Sequence, residues 1–231
     1  MGRAWALVLA AGAGTRFGAG ADGATKVTVP VAGRPMVAWS VEAAGAACDG
    51  VTLVVPVQLA DELVDSAHGV DVVVAGGGTR SGSVRAGLAT VPADVDVVVC
   101  HDAARPGASV GLFDAVIAAV RDGADAAVPA IAVSDTLKRV PEWGEAGGVV
   151  AGTVDRSGLF AAQTPQAFSR EALVAVHAGE SEATDDAALV EAVGGTVVAV
   201  PGEAAAHKVT EPDDLVIVEA LLRGRTGGGG L

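Results

Sequence analysis

The chain has 231 residues, 51% of them hydrophobic and 3% aromatic, and a formal net charge of −13 at pH 7. These values fit one large domain with an aliphatic core, and they exclude nucleic acid as the main partner because a phosphate backbone requires a basic surface. They do not exclude a small phosphorylated substrate, which needs only a few convergent cations.

Short apolar runs alternate with helical patterns along the chain. Runs of Val, Ile, Leu and Ala predict strands at 5–10, 51–55, 71–75, 95–100, 125–130 and 196–200. Helical spacing predicts helices at 35–47, 58–67, 81–90, 109–121, 169–178, 184–193 and 212–223, with Ser81, Ser109 and Thr210 as N-caps. The strand runs show little alternation, as expected of parallel strands covered on both faces. The order predicts a three-layer, Rossmann-like α/β fold with a mostly parallel sheet and ligands at the carboxyl ends of the strands.

One segment, at about 132–157, has no helical period but contains short apolar pieces, turn glycines and Pro141. It predicts a protruding β-hairpin arm. An isolated hairpin is marginal in water, so we expect the arm to pack on a second subunit; the alternative is an ordered loop lying on its own domain. We expect a single domain at 1–226, which includes the arm, and a flexible glycine tail at 227–231.

The start of the chain and its cysteines bear on its location. The apolar start lacks the basic region and cleavage site of a signal peptide, and no apolar run is long enough to span a membrane. Cys48 and Cys100 are far apart, each in an apolar segment, which favours buried free thiols. We therefore expect a cytoplasmic protein with no membrane partner.

The first strand leads into a loop of small residues. The loop contains Ala10, Ala11, Gly12, Ala13, Gly14, Thr15 and Arg16, and Lys26 follows shortly after it. Small residues leave backbone N–H groups open to a phosphate, and Arg16 and Lys26 add positive charge. The loop indicates a nucleoside triphosphate site for nucleotidyl transfer; a tight strand-to-helix turn without a ligand is the alternative.

Two better-known phosphate-binding loops fit poorly. A dinucleotide fingerprint needs a third glycine where Phe17 stands, and a carboxylate where the second strand ends in Pro56 and Val57. A Walker A loop needs Gly-Lys-Ser/Thr at a helix start, and this tripeptide does not occur. A nicotinamide-dependent oxidoreductase is therefore a weaker alternative, and a catalytically silent nucleotide-binding protein is another.

A second motif ends the fourth strand, where His101 and Asp102 are followed by Ala103, Ala104 and Arg105. A carboxylate at a strand end can bind Mg²⁺ or accept hydrogen bonds from substrate hydroxyls, which makes Asp102 the expected metal ligand. An arginine three residues on can clamp a phosphate. The alternative is that Asp102 caps a turn and Arg105 neutralises it. Zinc is not predicted, because His101 and its neighbour Cys100 point to opposite faces of the strand.

A glycine run joins the third strand to a helix. Gly76, Gly77 and Gly78 would let a flat base lie against the backbone, and Ser83 could bind a base edge or cap the helix. Polar or cationic groups also stand beside later hydrophobic segments, at Thr164, Thr184 and Lys208. Alone, none of these three is informative.

In this order the motifs resemble those of one family, the 2-C-methyl-D-erythritol 4-phosphate cytidylyltransferases. The resemblance extends to about Leu222 and rests on the loop with Arg16 and Lys26, the glycine run with Arg80 and Ser83, and the segments 101–106, 134–138, 154–156, 164–166, 184–185 and 208–210. Ala103 and Ala104 favour methylerythritol phosphate over D-ribitol 5-phosphate, the acceptor of a related family. The chain departs from the family pattern around Lys26 and at Gly78, where an acidic residue is often found.

The resemblance implies a nucleotidyltransferase fold, a homodimer joined by the arm, and transfer of CMP from CTP to a polyol phosphate with the help of Mg²⁺. It implies catalytic roles for Arg16, Lys26 and Lys208. It also implies that the nucleotide is bound by Ala10, Ala11, Gly12, Ala13, Gly14, Thr15, Gly76, Gly77, Ser83 and Ala103. The acceptor would be held by Asp102, Arg105, Thr164, Thr184 and Lys208, with Thr136 and Arg156 reaching over from the arm of the second subunit.

Overall fold

The strands and helices follow the predicted order, with several short additions. The computed structural model describes residues 2–12, 26–63, 68–179 and 183–227. Its strands are β1 (Arg3–Leu9), β2 (Pro30–Val31), β3 (Arg34–Pro35), β4 (Val51–Val55), β5 (Val72–Ala75), β6 (Val95–Asp102), β7 (Ala126–Ala132), β8 (Lys138–Arg139), β9 (Gly152–Thr153), β10 (Phe160–Ala162), β11 (Gln166–Ser169) and β12 (Val197–Pro201). Its helices are α1 (Met36–Ala47), α2 (Val57–Leu63), α3 (Arg80–Leu88), α4 (Val110–Arg121), α5 (Arg170–His177), α6 (Asp186–Ala192) and α7 (Asp214–Gly227), with 3-10 turns at Lys26–Thr28 and Ala204–Ala206.

The main sheet has eight strands and is mostly parallel, as predicted. Its order is β10-β7-β11-β6-β1-β4-β5, with β12 paired to the other edge of β7. The pairs of β1 with β4 and β6, of β4 with β5, and of β7 with β12 are parallel. The strands β10 and β11 are antiparallel to their neighbours, and β11 separates β6 from β7. The prediction missed both, because they are short and include polar residues.

Both faces of the sheet are covered by helices, which produces the predicted three layers. On β1, Ala4, Ala6 and Val8 face one buried cluster that includes residues of α1 and α4. Trp5 and Leu7 face a second cluster that includes residues of α3, α5 and α6. Apolar side chains on both faces explain why the strand sequences show so little alternation. None of the helices in the described ranges combines the length and apolar character that crossing a bilayer requires.

A third, smaller cluster fixes α7. Val31 after the first 3-10 turn, Met36 at the start of α1, and Val209 pack against Val218 and Leu222 of α7. This cluster therefore joins the segment that follows Lys26 to the segment that follows Lys208.

Two of the three predicted helix caps are wrong. Ser109 caps α4 as predicted, by accepting a hydrogen bond from the Leu112 N–H. The cap of α3 is Thr79, whose hydroxyl accepts from the Gly82 N–H, whereas Ser81 lies buried inside the helix. Thr210 precedes α7 by four residues, and its N–H instead donates to the Asp214 carboxylate at 2.7 Å. In both cases an oxygen nearer the first turn is better placed to accept the free N–H groups.

The arm forms where the sequence predicts it. Its two strands, β8 and β9, are antiparallel, and a bridge between Gly144 and Gly147 follows beyond them. Trp143 and Val149 on the arm are 77% and 85% exposed. The two cysteines are free thiols, as expected, with Cys100 buried and Cys48 half-buried. The last residues of the predicted glycine tail, 228–231, lie outside the described residues.

Candidate active site

An open cleft of about 640 Å³ lies at the carboxyl ends of β1, β5 and β6, where ligands are expected in a fold of this kind. Its lining combines the end of the first strand, the glycine run, the Asp102 turn and two lysines. The lining residues are Leu9, Ala10, Ala11, Gly12, Lys26, Pro56, Val57, Gln58, Gly76, Gly77, Gly78, Thr79, Arg80, Ser83, Asp102, Ala104 and Lys208.

The glycine run closes tightly against the end of β1. A Cβ added at Gly76 would lie 2.5 Å from the Cβ of Ala11, and one added at Gly77 would lie 2.8 Å from the carbonyl carbon of Gly82. Glycine is therefore required at both positions for the backbone to approach so closely. Among the described residues, a Cβ added at Gly78 would meet nothing within 4 Å. Packing thus does not demand glycine at Gly78.

Ser83 supports the glycine run from inside the first turn of α3. Its hydroxyl donates to the carbonyl of Thr79 at 2.9 Å and lies 3.4 Å from that of Gly77. The side chain is buried, although it borders the cleft. Its hydroxyl is therefore engaged with the backbone that forms the wall of the cleft.

Asp102, at the end of β6, holds two cations. Lys208 Nζ donates to Asp102 Oδ2 at 2.8 Å, and Nε of Arg105 lies 3.9 Å from the same oxygen. Burial alone would raise the pKa of the Asp102 carboxyl, but the charges of Lys208, Arg80 and Arg105 outweigh burial and hold that pKa below its ordinary value. The carboxylate is therefore ionised at neutral pH and is only 14% exposed.

Backbone contacts fix the two cations in place. The N–H of Val209 donates to the carbonyl of Ala104 at 2.8 Å, which ties the segment that carries Lys208 to the turn after β6. The guanidinium of Arg105 donates to the carbonyl of Ala206 at 2.8 Å. The Lys208 side chain is 46% exposed, so its ammonium can still reach a ligand in the cleft.

Thr164 and His101 support Asp102 from the protein interior. Thr164 Oγ1 accepts from the Asp102 N–H at 3.0 Å and lies 3.1 Å from Nδ1 of His101. Burial lowers the pKa of His101 to about 4. His101 is therefore neutral at pH 7, and we assign the Thr164 hydroxyl as the donor to an unprotonated Nδ1. The structure uses Thr164 to orient the backbone that carries the Asp102 carboxylate.

The remaining predicted site residues lie at different distances from the cleft. Ala103 is fully buried, and its neighbour Ala104 lines the cleft instead. Thr184 is exposed at the residue before the cap of α6. Thr136 and Arg156 are exposed on the arm, where the Arg156 guanidinium donates to the carbonyl of Ser134. Ala13, Gly14, Thr15 and Arg16 lie outside the described residues.

Sequence reasoning assigned no role to Arg80, which lines the cleft, or to its buried partner Asp186. A signal was present for both. Arg80 directly follows the glycine run, and Asp186 is the second member of an acidic pair of which one carboxylate is sufficient to cap a helix. Asp185 supplies that cap, by accepting from the Ala188 N–H at 2.9 Å.

The donor set suits a metal that a substrate brings with it. In the part of the chain that the structure describes, no three His, Cys, Asp or Glu side chains converge as a metal site. Asp102 offers one ionised carboxylate at the cleft. One carboxylate is sufficient for Mg²⁺, which commonly keeps several waters and takes its other ligands from substrate phosphates.

Comparison with known proteins gives one family throughout. The family model described as "IspD: 2-C-methyl-D-erythritol 4-phosphate cytidylyltransferase" matches residues 4–224. The 2-C-methyl-D-erythritol 4-phosphate cytidylyltransferase of Streptomyces avermitilis is 45% identical over 237 residues, which cover 96% of this chain and 93% of that relative. The bifunctional enzyme IspD/IspF of Clavibacter michiganensis is 44% identical over 96% of this chain and 55% of its own length.

Solved structures agree with the sequence relatives. The crystal structure of 2-C-methyl-D-erythritol 4-phosphate cytidylyltransferase from Thermus thermophilus matches with a TM-score of 0.77 at 35% identity, covering 96% of this chain and 100% of that one. The 4-diphosphocytidyl-2C-methyl-D-erythritol synthase from Anaerococcus prevotii matches with a TM-score of 0.78 at 27% identity, covering 96% and 99%.

Proposed function

Because this chain belongs to the 2-C-methyl-D-erythritol 4-phosphate cytidylyltransferase family and is therefore a nucleotidyltransferase, we propose that it transfers CMP from CTP to 2-C-methyl-D-erythritol 4-phosphate. The observation that carries this proposal is the cleft, in which a close-packed glycine run stands opposite Lys26, Lys208 and Asp102. The names of the relatives favour methylerythritol phosphate over D-ribitol 5-phosphate as the acceptor.

The reaction is a displacement at phosphorus. An oxygen of the acceptor phosphate attacks the α-phosphorus of CTP, and the bond from that phosphorus to the oxygen bridging to the β-phosphorus breaks. Pyrophosphate leaves with the electron pair of that bond, and the acceptor becomes a diphosphocytidyl polyol. No covalent intermediate with the protein is needed, so the side chains act by positioning and by electrostatic stabilisation.

Each group in the cleft has a role in this reaction. Gly76 and Gly77 leave the backbone bare for the cytosine base, since no side chain stands there. Lys26, with Arg16 beyond the described residues, neutralises the charge that grows on the phosphates in the transition state. The ionised Asp102 accepts hydrogen bonds from the acceptor hydroxyls, and Lys208 beside it attracts the acceptor phosphate.

Mg²⁺ is part of the proposal, with Asp102 as its protein ligand. When bound, the ion neutralises triphosphate charge and orients the α-phosphorus for attack. The low pKa of Asp102 supports this assignment, because only an ionised carboxylate binds the ion well.

We also propose that the enzyme is a homodimer in which the arm of one subunit reaches the cleft of the other. The exposed apolar side chains of Trp143, Val149 and Phe160 support this, since 77%, 85% and 59% of their surfaces are accessible in the single chain. Thr136 and Arg156 would then contact the acceptor phosphate in the partner's site. The free thiols of Cys48 and Cys100 support the proposed cytoplasmic setting.

The test is pyrophosphate release from CTP and Mg²⁺ with 2-C-methyl-D-erythritol 4-phosphate, run beside D-ribitol 5-phosphate. We expect turnover with the first acceptor and its loss in Lys26→Ala. Turnover with ribitol phosphate alone would keep the chemistry but overturn the acceptor. No turnover with either acceptor would overturn the proposal.

A further inference from the structure

A buried ionic cluster lies directly behind the wall of the cleft. The carboxylate of Asp186, on α6, is only 1% exposed and has two partners. The guanidinium of Arg80 donates from Nη1 to Asp186 Oδ2, and Nε2 of His177, on α5, lies 2.9 Å from Asp186 Oδ1. The cluster thus links three helices that cover the same face of the sheet.

The cluster is exposed to solvent only through Arg80. The side chain of His177 is 1% exposed, whereas that of Arg80 is 27% exposed and lines the cleft beside Gly78 and Thr79. His177 Nδ1 is buried with no partner among the described residues, which fits a neutral ring that donates its Nε2 proton to Asp186. Asp186 and His177 therefore cannot touch a ligand in the cleft, but Arg80 can.

A structural role alone accounts poorly for this cluster. Two charges lose most of their solvation on burial, so a buried ion pair contributes little more to stability than apolar side chains of the same volume. A fixed guanidinium beside a ligand site has a direct use, because it has five N–H donors and a flat face. With one nitrogen directed at Asp186, the fork is held in one orientation while other donors remain for a ligand.

On these grounds we propose that Arg80 binds the nucleotide, and that Asp186 and His177 are positioning residues that hold its guanidinium against the cleft. The proposal rests on the function proposed above, since the ligand is CTP. The shared chemistry is an acceptor oxygen of the nucleotide, either a pyrimidine carbonyl or a phosphate oxygen. Both are matched by guanidinium N–H groups.

A double-variant cycle separates binding from structure. Arg80→Gln leaves Asp186 buried without its charge partner, so we expect it to lower both the melting temperature and the affinity for CTP. Arg80→Gln combined with Asp186→Asn restores neutrality inside the protein, and we expect it to recover most of the melting temperature. Its dissociation constant for CTP, measured by calorimetry with Mg²⁺, should remain about tenfold to a hundredfold above wild type, the range for a lost hydrogen bond to a charged group.

Three further measurements make the test specific. His177→Gln should raise KM for CTP severalfold with little change in KM for the acceptor, because His177 acts only through Arg80. Arg85→Gln is the matched control, since Arg85 stands on the same helix, α3, but does not line the cleft, and it should bind CTP like wild type. Titration with inorganic pyrophosphate locates the contact: weakening for pyrophosphate as well as CTP means a phosphate oxygen, and weakening for CTP alone means the nucleoside.

The outcomes are distinguishable. If the double variant recovers both stability and CTP affinity, Arg80 has only a structural role and the proposal is overturned. If wild type binds CTP but transfers nothing to the polyol phosphate, the proposed reaction fails while the binding comparison still decides the role of Arg80. If wild type binds no CTP, both proposals fall.

Discussion

Lys208 and Asp102 are 106 residues apart in the sequence, yet Lys208 Nζ donates to Asp102 Oδ2 at 2.8 Å at the edge of the cleft. In this pairing each group holds the other where an incoming polyol phosphate presents both hydroxyls and a phosphate. The carboxylate suits the hydroxyls and the ammonium suits the phosphate, so the pair matches both ends of the proposed acceptor.

The first prediction concerns Lys208. We expect Lys208→Ala to lower kcat/KM by a factor on the order of 10²–10³, because it removes a charge that stabilises the transition state. The free energy of unfolding should change by less than about 1 kcal/mol, since a half-exposed ion pair contributes little to stability. Steady-state kinetics and urea denaturation measure the two quantities. Arg223→Ala, which removes an exposed ion pair with Glu219 outside the cleft, should change neither; a Lys208→Ala enzyme that is fully active would contradict the assignment.

The second prediction compares two glycines of the same loop. Gly76→Ala places a methyl group 2.5 Å from the Cβ of Ala11, so the end of β1 must shift. We expect KM for CTP to rise at least tenfold and the free energy of unfolding to fall by about 1–3 kcal/mol, as for other overpacked sites. Gly78→Ala meets no described atom within 4 Å and should keep wild-type stability. Equal effects of the two substitutions on stability would show that the close approach at Gly76 is not what the loop requires.

The third prediction concerns pH and His101. The pKa of the buried ring is about 4, below its ordinary value of 6.5, so the unfolded chain binds a proton more readily than the folded chain. The resulting stability is fully present above about pH 6.5 and is lost as the pH falls through about 4, with a total of up to about 3 kcal/mol. Urea denaturation of wild type and His101→Asn at pH 7 and pH 4.5 measures this difference. Asn keeps a polar atom near the position of Nδ1, and we expect the wild type to lose more stability than the variant. Parallel pH curves for the two proteins would contradict a depressed pKa.

The sequence was sufficient to predict the parallel strands because each is an apolar run covered on both faces, which leaves no competing interpretation. β11 is different: it has four residues and begins with the polar Gln166. It becomes a strand only because β6 and β7 offer edges on both sides, and such pairing partners are set by tertiary structure.

The site shows the same division. Asp102 and Lys208 could be predicted because each stands at the end of an apolar segment, where a parallel sheet gathers its ligand-binding groups. Asp186 could not, since an acidic residue at a helix start fits a cap equally well. Its burial follows from the packing of α6 against α5, and that packing is not visible in local sequence.

The last prediction tests whether the arm acts across a dimer. Arg156→Ala and Lys26→Ala should each be nearly inactive, because one lacks a contact to the acceptor phosphate and the other lacks a phosphate-binding cation in the cleft. When the two variants are mixed and allowed to exchange subunits, each mixed dimer contains one cleft with an intact Lys26 and an intact Arg156 from the neighbouring arm. Random exchange should therefore restore about a quarter of wild-type activity.

The mixing experiment has an internal control, because two variants of the same cleft cannot complement each other. Lys26→Ala mixed with Lys208→Ala places both defects in the machinery of the cleft itself, so every site in every dimer keeps one of them. This mixture should stay inactive, whereas Lys26→Ala mixed with Arg156→Ala recovers. If neither mixture recovers although subunit exchange is demonstrated by mass spectrometry, Arg156 serves its own cleft or none. The exposed Trp143 and Val149 would then need another partner.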